Sequence, residues 1–201
     1  AIGAVTLERA GKRLVEMAEL ADAGVIGFSD DGNPVADPNI MRQALTYSQI
    51  TGLPIINHCE EPSIAGAGQM QMGVIASHLG LTGVPSEAET VMVERDIALA
   101  ELTGGRLHIA HLSTRRAVEA VRRAKERGLR VTAEATPHHV SITDAWVYGL
   151  GGATPDDGAL STVAYDTNTK VNPPLRTNDD VDAVVDGLAD GTIDMIATDH
   201  A

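Results

Sequence analysis

The sequence runs to 201 residues, 43% of them hydrophobic and 21% charged, enough to bury the core of one globular domain. A formal net charge of −13 argues against nucleic acid or an anionic membrane surface as partner, because the overall field repels both. No apolar run approaches a membrane span, no secretory signal opens the chain, and a single cysteine, Cys59, leaves no intrachain disulfide, so a reducing cytoplasm is the expected setting. Aromatic residues are only 2%, so the core has to be built from Ala, Val, Leu, Ile and Met.

Strand-like and helix-like segments alternate, the pattern of βα units on a parallel sheet. Residues 2–6 are a candidate first strand. Within 8–22, Leu14, Met17, Ala18 and Ala21 recur at helical spacing, and Gly24 stops that helix before a strand over 25–28. Asp37-Pro38 reads as an N-cap and a first-turn proline opening a helix to about Ile50, and a strand follows over 53–57. Ser86-Glu87-Ala88-Glu89 has capping-box spacing and starts a helix reaching Leu102, stopped by Gly104-Gly105. Next come a strand over 106–111 and a helix capped by Ser113 or Thr114, with Val118, Val121 and Ala124 on one side and Gly128 at its end. After a strand over 131–135, a stretch near 149–166 rich in Gly, Pro and Asp reads as a surface loop insertion. Thr177 then caps a helix carrying Val181, Val184, Val185 and Leu188, and 193–198 is the closing strand.

Five of these strands are clear, and 2–6 supplies a sixth. A (β/α)8 barrel has eight and takes about 250 residues. An open run of parallel strands leaves unpaired edges, so residues 1–201 are expected to be one partial (β/α)8 barrel of the TIM type.

Potential chemistry collects where apolar runs end. Asp30-Asp31 follows Ile26-Gly27-Phe28, His58 follows Ile55-Ile56, His111 follows Ile109-Ala110, and Asp199-His200 follows Ile196-Ala197. Carboxylates and imidazoles repeated at strand C-terminal ends describe a metal site at a barrel mouth, and a core has no reason to repeat that pattern. Each position alone has a plainer reading. Asp30-Asp31-Gly32-Asn33-Pro34 also suits an ordinary turn, and His58 also suits a satisfied core histidine. Strand alternation places His108 and His111 on opposite faces, which favours His111 as the ligand. His138-His139 also lies near the mouth, His78 reads as structural or solvent-facing, and Cys59 as small apolar filler. Asp199 differs in kind, because a carboxylate near imidazoles can both ligate a metal and accept a proton.

Read together, Ser29-Asp30-Asp31-Gly32, Asn57-His58-Cys59-Glu60, the run from His108 to Thr114, Thr136-Pro137-His138-His139, the run from Lys170 to Arg176, and Ala197-Thr198-Asp199-His200-Ala201 occur in the order seen in bacterial type I dihydroorotases of the amidohydrolase superfamily, which the chain resembles. The resemblance implies a metal-dependent amidohydrolase barrel holding two zinc ions. It matches Asp31 to the carboxylate bridging the ions, and His58 and His111 to ligands of the second. It matches Asp199 to a ligand of the first ion that is also the catalytic acid and base, and Asn172 to a residue that binds substrate. The family's first-strand His-x-His, the arginine after it, and the Pro-His beyond its last motif have no counterpart in these residues, so the segment is expected to run from about strand three to strand eight.

The implied reaction is reversible hydrolysis of the cyclic amide of dihydroorotate to N-carbamoyl-aspartate, a step of pyrimidine biosynthesis. The implied partners are that small molecule and, beyond it, a second copy of the chain or aspartate transcarbamoylase. Two alternatives stay open. One is a sister cyclic-amide hydrolase, an allantoinase or dihydropyrimidinase, against which Asp31 in place of a lysine and the His200-Ala201 ending argue. The other is an inactive scaffold for aspartate transcarbamoylase.

Overall fold

The computed structural model describes residues 1–149 and 164–199. Its strands are short: β1 Ile55–Asn57, β2 Met70–Gln71, β3 Gly83–Val84, β4 Leu107–Ile109, β5 Val131–Ala135 and β6 Met195–Ile196. The main sheet is parallel, in the order β1-β4-β5-β6, with Ile55 opposite Leu107, Leu107 opposite Val131 and Glu134 opposite Met195. Single parallel bridges from Gly3 to Phe28 and from Phe28 to Ile55 add two further segments to the same wall. The four strands and the two bridged segments lie side by side in chain order as six staves. Growth in one direction, with helices between neighbours, is how a (β/α)8 wall is laid down; a doubly wound sheet would reverse direction midway. Strands β2 and β3 pair only with each other, as a small ribbon in the long connection between β1 and β4.

The helices are α1 Met17–Asp22, α2 Pro38–Ser48, α3 Pro62–Ala65, α4 Val74–Leu79, α5 Glu87–Thr103, α6 Arg115–Glu126 and α7 Asn178–Ala189. Along the outside of the wall α1 packs on α2, α2 on α5, α5 on α6 and α6 on α7. Between wall and helices lies a core of Met17, Phe28, Met41, Leu45, Ile55, Met92, Leu107, Ile109, Val121 and Val184, all nearly or fully buried. Helix α7 comes close to α6 because position 187 is glycine; a Cβ there would lie 3.0 Å from Val118 Cγ1. Among the described residues no helix is long and apolar enough to cross a membrane.

Local chemistry explains most boundaries. Asp37 caps α2, its Oδ1 accepting from the amides of Asn39 at 2.7 Å and Ile40 at 3.1 Å, with Pro38 in the first turn. Gly104 ends α5 in the left-handed region at φ 71, a conformation that a Cβ would penalise. Thr114 caps α6 through Ala117 N, and Gly128 follows that helix at φ 75.

Several expectations are corrected. The helix over 8–22 reduces to α1, preceded by a 3-10 turn over Leu7–Arg9 and an antiparallel bridge from Thr6 to Leu14. The cause is backbone geometry: Glu8, Arg9 and Gly11 all have positive φ, which no α-helix tolerates. Ser86 forms no capping box. It is itself helical, at φ −60 and ψ −22, and the Glu89 carboxylate is buried and bonded to Ser113 and Thr114. Thr177 occupies the N-cap of α7, but its hydroxyl donates to the Asp180 carboxylate at 2.8 Å. Residues 25–28 and 2–6 join the wall through one bridge residue each, Phe28 and Gly3, rather than as full strands. The expected loop insertion falls mostly on residues 150–163, which lie outside the described residues, as does the His200-Ala201 ending.

Replacing Asp37 with Ala removes two capping bonds at an exposed helix end. The expected outcome is a loss of about 1 kcal/mol in urea-induced unfolding with an unchanged m-value; stability equal to wild type would show that the cap contributes nothing.

Candidate functional site

The inner face of the wall encloses a cavity of about 990 Å³. Side chains that follow the staves, Asp31, His111 and Asp199, line it at the rim, together with Arg9; Ile56, His108, Thr132 and Glu134 line it along the strands. The alternation of β5 explains part of this, since Ala133 and Ala135 are buried in the core while Thr132 and Glu134 turn inward.

Two imidazoles form the centre. His58 Nδ1 and His111 Nε2 are 2.9 Å apart, with the rings edge to face and both side chains buried. On the far side of His58, Asn172 Nδ2 lies 3.2 Å from Nε2. His58 thus presents Nδ1 to His111 Nε2 and Nε2 to the Asn172 amide. Burial lowers the His58 pKa to about 4, the His111 charge adds to the effect, and Asp31 opposes it. The imidazole is therefore neutral at physiological pH, the form that binds metals. His111 Nδ1 is buried without a hydrogen-bond partner.

The adjacent aspartates have separate duties. Asp30 is 2% exposed; its Oδ1 accepts from the amides of Val5 at 2.9 Å and Thr6 at 3.0 Å, and its Oδ2 from the Thr6 hydroxyl, so it fastens one stave to the next. Asp31 is left facing the cavity. Arg9 Nη1 donates to the Asp31 carbonyl at 3.1 Å, bringing a guanidinium to the rim. Asp199, at φ 54, lines the same cavity, and its charge raises the His138 pKa against the larger lowering by burial.

His108 and His111 both line the cavity, against the expectation from strand alternation. The ladder of β4 stops at Ile109, and His111 turns to φ 35, which swings its ring back to the inner side. His108 Nε2 lies 3.1 Å from Glu134 Oε2, and its Nδ1 lies 2.8 Å from Thr132 Oγ1. Burial alone would raise the Glu134 pKa, but the bond from His108 and the nearby imidazole charges outweigh it and hold the carboxyl below its usual range.

His139 is a buried anchor rather than a mouth residue: Thr136 Oγ1 lies 2.7 Å from its Nδ1, and its Nε2 donates to the Pro173 carbonyl at 3.0 Å. His78 lies in α4, 3.3 Å from the Tyr148 hydroxyl. Cys59 is buried as expected, but it also joins a polar group, its Sγ lying 3.6 Å from Asp96 Oδ2. Burial chiefly raises both the Cys59 and the Asp96 pKa. Sequence reading missed Arg9, which carries no periodic or motif signal, and Glu134, which inward alternation from Thr132 would have found.

The donor set suits a zinc-class ion: two imidazoles converge on one point from neighbouring staves, with the Asp31 carboxylate close enough to act on His58. Among the described residues no three His, Cys, Asp or Glu side chains close to metal-holding distance, so the pair supplies two donors of such a site.

Comparisons with known proteins agree with this geometry. Residues 1–117 match a family model described as dihydro-orotase-like. The whole chain is 51% identical over 200 residues to a dihydroorotase of Caldanaerobacter subterraneus subsp. tengcongensis, and 52% identical over 200 residues to one of Anaeromyxobacter dehalogenans, spanning 43% of each. The chain thus covers less than half the length of these curated relatives. A solved D-hydantoinase from Bacillus sp. AR9 superposes with a TM-score of 0.75 at 19% identity, covering 100% of this chain and 42% of that one, which fixes the fold as part of the same kind of barrel.

His139 makes stability depend on pH. Burial, chiefly, lowers its pKa from 6.5 to about 3. Between those values the unfolded chain binds a proton that the folded chain excludes, so stability is full above about pH 6.5 and falls as the pH drops toward about 3. In urea titrations of metal-free protein at about pH 7 and about pH 4.5, wild type should lose more stability than His139→Gln. Equal losses would remove His139 as the source.

Proposed function

The chain belongs to the dihydro-orotase-like family, and we propose that the protein it is part of opens the ring of dihydroorotate, hydrolysing the cyclic amide to N-carbamoyl-aspartate. The observation that carries this reading is the meeting of His58 and His111 at 2.9 Å beside a cavity that also holds Asp31 and Asp199. His58 and His111 would hold one zinc ion, Asp31 would be shared with a second, and Asp199 would sit on that second ion. Bound zinc supplies a nucleophile from water near neutral pH and polarises a carbonyl.

The protein's own residues do the rest. Asp199 accepts the proton released as the new C–O bond forms, then delivers it to the ring nitrogen as the C–N bond breaks. Asn172, held beside His58, donates a hydrogen bond to the substrate. Arg9 is a cation beside Asp31 at the rim and meets the substrate carboxylate, offsetting the carboxylates of Asp31, Asp199 and Glu134. On this reading residues 1–201 are one partial catalytic barrel with its loop insertion near 149–166. The protein works in cytoplasmic pyrimidine biosynthesis, as a homodimer or beside aspartate transcarbamoylase.

A second reading, ring opening of a hydantoin or dihydropyrimidine, is supported by the likeness of the fold to hydantoinases. Asp31 at the position where many relatives carry a lysine favours dihydroorotate. Assays of the complete protein on dihydroorotate, allantoin and dihydrouracil separate the two: turnover confined to dihydroorotate is expected, and faster turnover of either other ring would overturn the assignment.

Two variants test individual roles. Asp199→Asn should stay folded and lose about 10²- to 10⁴-fold in kcat; turnover near wild type would remove Asp199 from proton transfer. Arg9→Met should raise KM for dihydroorotate about tenfold with kcat little changed. An unchanged KM would mean that the substrate carboxylate binds elsewhere.

A further inference from the structure

We infer that Glu89 and Arg176 are positioning residues of this site, an ion pair buried beneath it that clamps the loop carrying His111 and the loop carrying Asn172 to helix α5. Glu89 is 3% exposed and Arg176 2% exposed, with Arg176 Nη2 3.7 Å from Glu89 Oε2. Glu89 Oε1 accepts from the amides of Ser113 at 3.2 Å and Thr114 at 2.9 Å and from the Thr114 hydroxyl at 2.7 Å, while Oε2 accepts from the Ser113 hydroxyl. Arg176 Nε donates to Ser113 Oγ at 3.0 Å, and Nη1 donates to Gln71 Oε1 on β2.

The direction of these bonds carries the argument. Apart from the one to Gln71, every side-chain bond of the pair stays within the pair or reaches Ser113 and Thr114, two and three residues beyond His111. His111 holds φ 35, a conformation that a non-glycine residue keeps only where its surroundings over-determine it. Four bonds donated by Ser113 and Thr114, two and three residues further on, provide that constraint. On the other side, Arg176 closes the segment that starts at Asn172, whose middle is held by the His139 bond to the Pro173 carbonyl. Its own carbonyl accepts from Asp144 N at 2.9 Å. Asn172 in turn touches His58 at 3.2 Å. Replacing a buried ion pair with apolar side chains commonly leaves stability unchanged or higher, so a charged pair placed here acts through the loops it orients.

The inference rests on the proposed metal-dependent reading, and zinc binding tests it separately from turnover. In the complete protein, Arg176→Lys keeps the charge but loses the fork, and the double variant Glu89→Gln with Arg176→Met leaves no buried charge unpaired. Both should unfold thermally near the wild-type temperature. Zinc affinity, read by competition with a chromophoric chelator on metal-free protein, should weaken about 10- to 100-fold, and kcat for dihydroorotate should fall with it. Folded variants with zinc affinity and kcat/KM within about twofold of wild type would overturn the inference. Failure of both variants to fold would overturn it too, because the pair would then hold the fold and not the site. Wild-type protein that binds zinc yet leaves dihydroorotate intact would refute the proposed reaction, while the zinc measurements would still decide the role of the pair.

Discussion

His58 and His111 leave neighbouring staves whose parallel register sets Asn57 opposite Ile109. Parallel pairing keeps strand ends of the same polarity on one rim, so side chains just past each strand collect there. His58 follows its strand directly, whereas His111 comes two residues after Ile109 and has to bend back at φ 35 to meet it. The rest of the site depends on that meeting. Asn172 is seated by it, Asp31 acts on it, and the buried carboxylates behind it keep the loops in place.

Three buried carboxylates, Asp30, Glu89 and Asp96, tie loops to the staves and helices. Asp30 bonds the amides of Val5 and Thr6 across to the next stave. Asp96 accepts from Asn57 Nδ2 at 2.6 Å and Arg95 Nε at 2.8 Å, while Arg95 reaches the carbonyls of Val35 and Ala36 ahead of α2. Glu89 does the same for the loop after β4. In each case a carboxylate that has lost its water receives several donors in return, which is the condition for burying it without a large penalty. Each acts close to a rim group: Asp30 adjoins Asp31, Asp96 binds Asn57 beside His58, and Glu89 binds Ser113 just past His111.

The rim is chemically two-sided. The His58 imidazole, kept neutral by burial, suits metal binding, while the carboxylates of Asp31, Asp199 and Glu134 make the cavity repel an anion unless cations enter it. Arg9, placed by a backbone turn of positive φ, supplies one such cation from the protein itself.

Alternating apolar runs and their punctuation were enough to read the parallel architecture and most of its helices from the sequence: the Asp37 cap of α2, the Gly104 stop of α5 and the Thr114 start of α6 are local decisions, made by residues within a turn of one another. Asp31, His58, His111 and Asp199 could be singled out for a related reason, since strand ends can be located from sequence, whereas Asn172 came only from the family resemblance. Tertiary structure alone decided how those residues face each other. Strand alternation gave His108 and His111 opposite faces, and the backbone reversal after Ile109 put both on one. Capping-box spacing assigned Glu89 to its own helix, yet its carboxylate serves a loop 24 residues away. Arg9 reached the rim through a turn that helical periodicity had hidden. Local propensity sets where elements begin and end; the partner of a buried charge is set by whatever the fold brings within hydrogen-bonding distance, and spacing along the chain does not encode that.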